Sequence, residues 1–352
     1  MTDWARLNDR LLDGIERCDP LFRPTNFWTP GLRELLADLE RNGLETFKSW
    51  PTAGYWFYPR YGAGLSRRSF RAVVEKATAT QPGLRRQKLT KHLNGFKEAQ
   101  RDLDAVRLFW DQSRWPFDLV SYGESEVGAP RRLYPLTDDP GVRWGKPYLN
   151  YLLCLAALSH HVDVPPSSFL EIGGGFGALG EIVLQRSPDG RYLNLDIPPL
   201  LTVASYYLTE LFGSERVVTY DQVSDEGSVD VPSCGCLPNW RLPDVRGHYD
   251  VFVNSFSFQE MEPEVVDSYI SAVARLGVTY AVSLNSKLGK RTAVDGQEGG
   301  VVDPVTSGRI VGMFESRGYS HVGSYQDPLI RSAGEITVFK RPVPHTEPSA
   351  QT

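Results

Sequence analysis

Apolar residues in this chain come in short bursts whose spacing alternates between a strand-like and a helix-like period. Residues 168–172, 191–195, 216–220, 251–254 and 278–284 are compact apolar runs of the kind that form buried strands. Between them, 178–186, 199–212 and 263–276 repeat apolar positions at helical spacing. Such alternation predicts a doubly wound α/β sheet of parallel strands. After the fifth run a helix over 305–317 leads to Gly318 and Tyr319, then to two strand-like runs, 321–325 and 335–340. About ten residues separate those runs, and a parallel crossover takes a dozen or more. The last two strands are therefore expected to pair antiparallel. Upstream, Thr29-Pro30-Gly31 followed by Leu32, Leu35, Leu36 and Leu39 reads as a capped amphipathic helix ending at Gly43. Residues 72–79, 84–109 and 147–159 also read as helical. The expected organisation is a mainly α N-terminal cap over 1–140, a ligand-binding α/β domain over 141–342, and a polar, proline-bearing tail over 343–352 without fixed structure.

The candidate chemistry begins where the first strand meets a glycine cluster, Gly173-Gly174-Gly175-Phe176-Gly177, with Glu171 two places before it. A loop of that kind presents bare backbone N–H groups at the positive end of the next helix. Two patterns fit. Gly173, Gly175 and Ala178 satisfy the dinucleotide fingerprint, with Asp196 about 20 residues on to hold ribose hydroxyls. The same stretch satisfies the E-x-G-x-G-x-G pattern of S-adenosylmethionine-dependent methyltransferases, in which Glu171 braces the loop and Gly173, Gly175 and Gly177 let the cofactor's methionine portion pass. A parallel sheet finished by an antiparallel hairpin resembles the Rossmann-like class I methyltransferase architecture and favours the second pattern. A bare strand-to-helix turn would leave Asp196, at a strand end beside Ile197, unexplained. Asp221 closes the third strand and faces either the adenine amino group or its own backbone in a turn. Glu171, buried under the loop, needs N–H partners.

The fourth strand breaks at Asn254 into a polar and aromatic segment, Ser255-Phe256-Ser257-Phe258-Gln259-Glu260-Met261, on the edge where open α/β sheets bind ligands. With the glycine loop and the upstream Ser125-Glu126-Val127-Gly128-Ala129-Pro130, this segment resembles a bacterial family of sugar O-methyltransferases, over most of the chain from about Phe22 to Lys340. The resemblance implies methyl transfer from S-adenosylmethionine to a hydroxyl of a sugar or glycosylated small molecule. One departure is the tract 222–247, which reads as a long loop with free cysteines at Cys234 and Cys236. In-line methyl transfer needs alignment above all, and a weak hydroxyl nucleophile gains from a general base. Glu260 is the first candidate base, its alternative being a helix N-terminal carboxylate. Asn254 is expected to orient the methionine group or the acceptor, and Gln259 to bond sugar hydroxyls. Tyr148 is placed to pack on the methionine chain, and Lys146 or Arg143 to reach its carboxylate. Among histidines, His248 precedes the fourth strand on the wrong edge, His160 and His161 end a helix, and His92 lies in the cap. The other readings are N- or O-methylation of a non-sugar metabolite, and a partner subunit without catalysis.

Composition adjusts this picture in a few places. At 352 residues, 41% apolar and 11% aromatic, the chain can fill one large or two ordinary domains. No apolar run approaches the roughly 20 residues of a membrane span, and the first residues lack signal-peptide character, so a cytoplasmic protein is expected. No ligand signature for a resident metal appears. Asp295, Glu298 and Asp303 offer at most a Mg²⁺ site shared with water and substrate. Net charge is −5, yet residues 60–101 hold eleven Lys and Arg against Glu75 and Glu98. That segment reads as a solvated face or as a seat for a nucleotide sugar's diphosphate. Nucleic acid is not expected, and a homodimer is left open. The aromatic run Tyr55-Trp56-Phe57-Tyr58 reads first as core and second as a stacking surface for a sugar ring.

Overall fold

A computed structural model describes residues 2–62, 95–116, 118, 120–187, 189–294, 298–327, 329–330 and 334–342. The helix expected over 72–79, the first part of 84–109, most of the basic segment 60–101, His92, Asp295 and the tail lie outside the described residues.

The N-terminal region is helical where it is described. Helix α1 (Trp4–Arg17), which the apolar pattern above did not reveal, is capped by Asp3, whose carboxylate accepts the Arg6 N–H at 3.1 Å. It buries Leu7, Leu11 and Ile15, spaced to lie on one face. Helix α2 (Thr29–Asn42) carries Pro30 in its first turn and stops at Gly43, as expected. The short α3 (Ala53–Trp56) and the longer α4 (Phe96–Phe109) follow among the described residues. A two-stranded ribbon of β1 (Tyr134–Pro135) and β2 (Arg143–Trp144) leads into α5 (Lys146–Ser159). Helix α5 is buried along nearly its whole length, as an all-round apolar helix must be.

The α/β part proceeds as β3 (Ser168–Ile172), α6 (Ala178–Arg186), β4 (Arg191–Asp196), α7 (Leu200–Phe212), β5 (Val217–Thr219), β6 (Cys234–Pro238), β7 (Val251–Ser255), α8 (Pro263–Arg275), β8 (Tyr280–Ser286), α9 (Ser307–Glu315), β9 (Ser320–Tyr325) and β10 (Gly334–Lys340). The sheet order is β5-β6-β4-β3-β7-β8-β10-β9. Strands β3 to β8 run parallel, while β10 pairs antiparallel with both β8 and β9. The architecture is thus mixed α/β, and the expected closing hairpin is present. Strand β6 corrects the reading of 222–247 as a loop. It inserts between β4 and β5 and buries Cys234 and Cys236, whose thiols are free.

Side chains of the central strands alternate between two layers. Leu170, Ile172, Leu193, Leu195 and Phe252 meet the apolar faces of α8 and α9. Phe169, Tyr192, Val251 and Val253 share the other cluster with α5, α6 and α7, and with Leu7, Leu11, Leu35, Phe47 and Trp50 of the N-terminal region. That second layer holds a buried polar network. Lys48 is fully buried and ion-paired to Glu124 at 2.8 Å. Its ammonium also donates to the Ser125 carbonyl at 3.0 Å and the Tyr207 hydroxyl at 3.1 Å. Glu124 accepts from the Tyr58 hydroxyl at 2.8 Å and the Gly145 N–H at 3.0 Å. Glu181, at the start of α6, accepts from the Ser125 N–H at 2.8 Å and the Tyr207 hydroxyl at 2.6 Å. Burial pushes the Glu181 carboxyl up to about 7.

Removing one member of such a pair strands the other charge in a dry interior, a loss of about 3–5 kcal/mol. Lys48→Met is expected to lower unfolding stability by that order in chemical denaturation. A loss within experimental error would show that the network is not what joins the N-terminal helices to the sheet layer.

Candidate active site

The parallel strands end, at their carboxyl edge, in a cleft of about 330 Å³. The glycine loop 173–175, Asp196 and Ile197, Asn239, residues 255–257 and 259–261, Lys146, Asn150, Tyr151 and Lys290 line it, together with Trp28, Tyr55, Trp56 and Phe57. That size and mixed lining suit a small organic ligand.

The loop is shaped by contact as much as by conformation. A Cβ on Gly174 would stand 2.5 Å from Asn194 Oδ1 and 2.7 Å from Glu171 Oε2, so the backbone rests directly on those two buried side chains. Gly175 has φ +58°, and its vacant side faces open space. Gly173 bonds through its N–H to Leu195 O at 2.8 Å, and Gly177 to Gly174 O at 3.1 Å. Beneath the loop, Glu171 accepts from the Tyr192 hydroxyl at 2.5 Å, and the Tyr151 hydroxyl also acts on it as a donor. It thus meets tyrosine hydroxyls where N–H partners were expected. Burial pushes its carboxyl up to about 7.

Asp196 ends β4 with Oδ2 accepting the Gly175 N–H and Oδ1 accepting the Ile197 N–H, both at 2.7 Å. These bonds hold the carboxylate in place, and each oxygen keeps a further lone pair. Burial raises its pKa to about 7 against the opposing pull of the two N–H groups.

The segment after β7 is held by Asn254. Its amide N–H donates to Ile172 O at 2.9 Å, and its Oδ1 accepts from Phe258 N–H at 3.0 Å and Asn285 Nδ2 at 2.9 Å. Fully buried and outside the cleft lining, Asn254 positions the segment; it does not present its amide to a ligand as expected. Phe256 lines the cleft with φ +60°, an uncommon conformation for a residue with a Cβ. Gln259 lines the cleft too, but its Oε1 accepts the Ser286 N–H at 2.6 Å, and its side chain also bonds the Glu260 carboxyl. Glu260 sits 2.9 Å from the Lys290 ammonium with its side chain 12% exposed. Burial lifts its pKa to about 7, opposed by Lys290 and by hydrogen bonds from Trp28 and Gln259. A carboxyl poised there can take up a proton at neutral pH.

Two expected cofactor residues lie elsewhere. Tyr148 is fully buried off the cleft, with its hydroxyl bonded to Gln185 at 3.3 Å, because α5 turns that face toward α6. Asp221 is exposed and accepts from the Thr219 hydroxyl; the inserted β6 has moved β5 one strand outward. The residue after β6, Asn239, takes the position beside β4 instead. Its Nδ2 donates to Phe22 O and to the Tyr269 hydroxyl, both at 2.8 Å. Its Oδ1 is buried at the cleft wall without a partner among the described residues. Missing β6 hid it. The described histidines stand apart: His160 bonds Phe109 O, His161 the Tyr325 hydroxyl at 2.6 Å, and His248 approaches Asp250 at the opposite sheet edge. Glu298 and Asp303 are ion-paired with Arg33 and Arg309, and Arg143 with Glu126. No group of three metal-ligating side chains occurs among the described residues. Nor is any helix among them long and apolar enough to cross a membrane. Of the aromatic run, Tyr58 is core, while Tyr55, Trp56 and Phe57 reach the cleft.

No protein-family model and no curated protein matches the chain. Among solved structures it is similar to the pyocyanin biosynthetic protein PhzM, at 17% identity and a TM-score of 0.36, over 58% of this chain and 59% of that one. It is also similar to magnesium protoporphyrin IX methyltransferase from Synechocystis PCC 6803 with bound SAM, at 13% identity and a TM-score of 0.36, over 51% and 71%. The mitomycin 7-O-methyltransferase MmcR aligns over 96% of this chain and 98% of its own, at 13% identity and a TM-score of 0.38. Likeness this distant says nothing about substrate or chemistry. The chain spans less than two thirds of the length of PhzM.

A carboxyl whose folded pKa lies above its unfolded value adds stability at low pH that is lost as pH rises, here through about 7 for Asp196. The slope is about 1.4 kcal/mol per pH unit where the group is charged only when unfolded. Denaturation of the ligand-free protein between pH 5 and 8 should therefore show Asp196→Asn gaining stability relative to the wild type as pH rises. A difference that stays flat with pH would refute this burial effect.

Proposed function

We propose that the protein is an S-adenosylmethionine-dependent O-methyltransferase acting on a sugar hydroxyl. The observation that carries the reading is the double anchoring of Asp196 at the end of β4, beside an open glycine loop. A carboxylate so held can accept both hydrogens of a ribose diol in its remaining lone pairs. The cleft also fits the rest of the donor. Asn239 offers a buried, unpartnered acceptor to the adenine amino group, with Nδ2 fixed by Phe22 and Tyr269. Glu171 and Asn194, buried beneath the loop, brace it from behind. Bound there, the donor supplies an electrophilic methyl group on a sulfonium.

The chain's own residues then have three tasks. The loop and Asp196 fix the position of the donor. Phe256, Met261 and Trp28 give the cleft apolar lining that would keep water from the reacting line. Glu260 receives the acceptor's proton, oriented by Lys290, Gln259 and Trp28. Tyr55, exposed, and Trp56, partly buried beside it, suit a sugar ring, consistent with the family that the sequence resembles.

Calorimetric titration with S-adenosylhomocysteine tests donor binding: the wild type should bind, and Asp196→Ala should weaken binding by about tenfold or more. No binding to the wild type would overturn the reading. With a labelled methyl donor and a sugar acceptor, the rate should rise with pH through about 7, the value to which Glu260 is pushed. Glu260→Gln should reduce turnover by roughly 10²–10⁴-fold without loss of S-adenosylhomocysteine binding. Full activity in that variant across pH would remove Glu260 from the role of base.

A further inference from the structure

Beside the cleft, two cations, Arg60 and Lys146, form no ion pair with a described residue. Arg60 follows Pro59, a cleft-lining residue, and its guanidinium lies against Gly54, where a Cβ would stand 2.9 Å from Nη2. It is therefore a neighbour of Tyr55 at the opening. Arg60 is half-buried and makes no hydrogen bond or ion pair with any described residue. The groups acting on it most strongly are Arg131, Tyr58, Tyr134 and Arg132, with no carboxylate among them. Burial first, and Arg131 next, pull its pKa below the usual guanidinium value. Arg131 spends one N–H on Ser49 O at 2.9 Å. Lys146 lines the cleft from the start of α5, and its ammonium stands 5.7 Å from the centre of the Tyr61 ring with no ion pair to a described residue. Of the acids nearby, Glu126 is paired with Arg143, while Asp102 accepts from the Tyr61 hydroxyl at 2.5 Å, Glu34 from the Trp56 indole N–H at 2.8 Å and Glu98 from the Gly62 N–H at 3.0 Å, none of them bonded to Arg60 or Lys146.

A guanidinium partly withdrawn from water among other cations is costly unless an anion arrives to pair with it. Several cations together exceed what one carboxylate requires, and the planar fork of arginine matches phosphoryl oxygens. We propose that Arg60, Arg131 and Lys146 seat a diphosphate carried by the acceptor, so that the acceptor is a nucleoside-diphosphate sugar. Its sugar then extends past Tyr55 and Trp56 toward Glu260. This inference rests on the methyltransferase reading and names its substrate class.

The test is calorimetric titration of the full chain with inorganic pyrophosphate, with UDP and with uridine, each in the presence and absence of S-adenosylhomocysteine. Pyrophosphate and UDP should bind with dissociation constants below about 1 mM, uridine far more weakly, and added salt should weaken binding. Arg60→Gln and Arg131→Gln should each lower UDP affinity about tenfold, while affinity for S-adenosylhomocysteine stays within about twofold of the wild type. UDP binding tighter than pyrophosphate supports a nucleoside diphosphate. Equal affinities, no binding of either anion, binding indifferent to both substitutions, or an equal loss of S-adenosylhomocysteine affinity would each overturn the proposal. Because the anions are also titrated alone, occupancy of the anion seat is measured independently of donor binding, even for a protein that does not take up S-adenosylhomocysteine.

Discussion

The arrangement depends on one buried cation. Lys48 brings a full positive charge into an interior lined by Phe47, Tyr58, Phe176 and Tyr207, where Glu124, the Ser125 carbonyl and the Tyr207 hydroxyl answer it. A charge in that position tolerates little displacement, because each lost partner exposes an uncompensated desolvation cost. The network built around it draws on five places in the chain: residues 47–58, the motif at 124–125, Gly145 before α5, Glu181 of α6 and Tyr207 of α7. Phe176, inside the glycine loop, packs 5.1 Å from the ammonium. The backbone that meets the ligand is thereby braced from behind by the same cluster that docks the N-terminal helices.

In front of that brace the cleft follows a second rule, in which carboxyls are withdrawn from water and steadied by hydrogen-bond donors. Asp196 and Glu260 both sit near neutrality for the same primary reason, burial, but their partners differ. Two backbone amides hold Asp196 still, which suits recognition. A lysine, an indole and an amide side chain surround Glu260, which suits a group that must change its protonation state.

Much of this was legible from the apolar pattern. The bounds of β3 and α6 coincide with their expectation, and so does the antiparallel finish, because short buried runs and a link too brief for a crossover leave few alternatives. Asp196 is legible as the charged end of an apolar strand, and Glu260 as a carboxylate in the polar segment that follows one. Strand β6 was not. Its five residues, Cys234 to Pro238, are all buried and show no alternation, and glycine and proline gave them the look of a loop. With β6 unread, the residue at the sheet edge beside β4 is taken to be Asp221, where the structure places Asn239. Tyr148 was misplaced for another reason: a helix apolar on every side does not reveal which side faces the ligand. Asn254 stands where a ligand-binding residue was expected, but its amide is consumed in joining β3 to the segment that carries Glu260.

The neutral-range carboxyl of Asp196 has a consequence for how the cleft exchanges heat with its surroundings. If Asp196 receives a ribose diol as proposed, the donated bonds favour its ionised form, and filling the site near pH 7 would expel hydrogen ions into solution. Uptake of those ions by the medium adds its own enthalpy. The apparent heat of association should therefore vary from phosphate to Tris in proportion to each buffer's ionisation enthalpy, which makes the choice of buffer a gauge of how many protons leave.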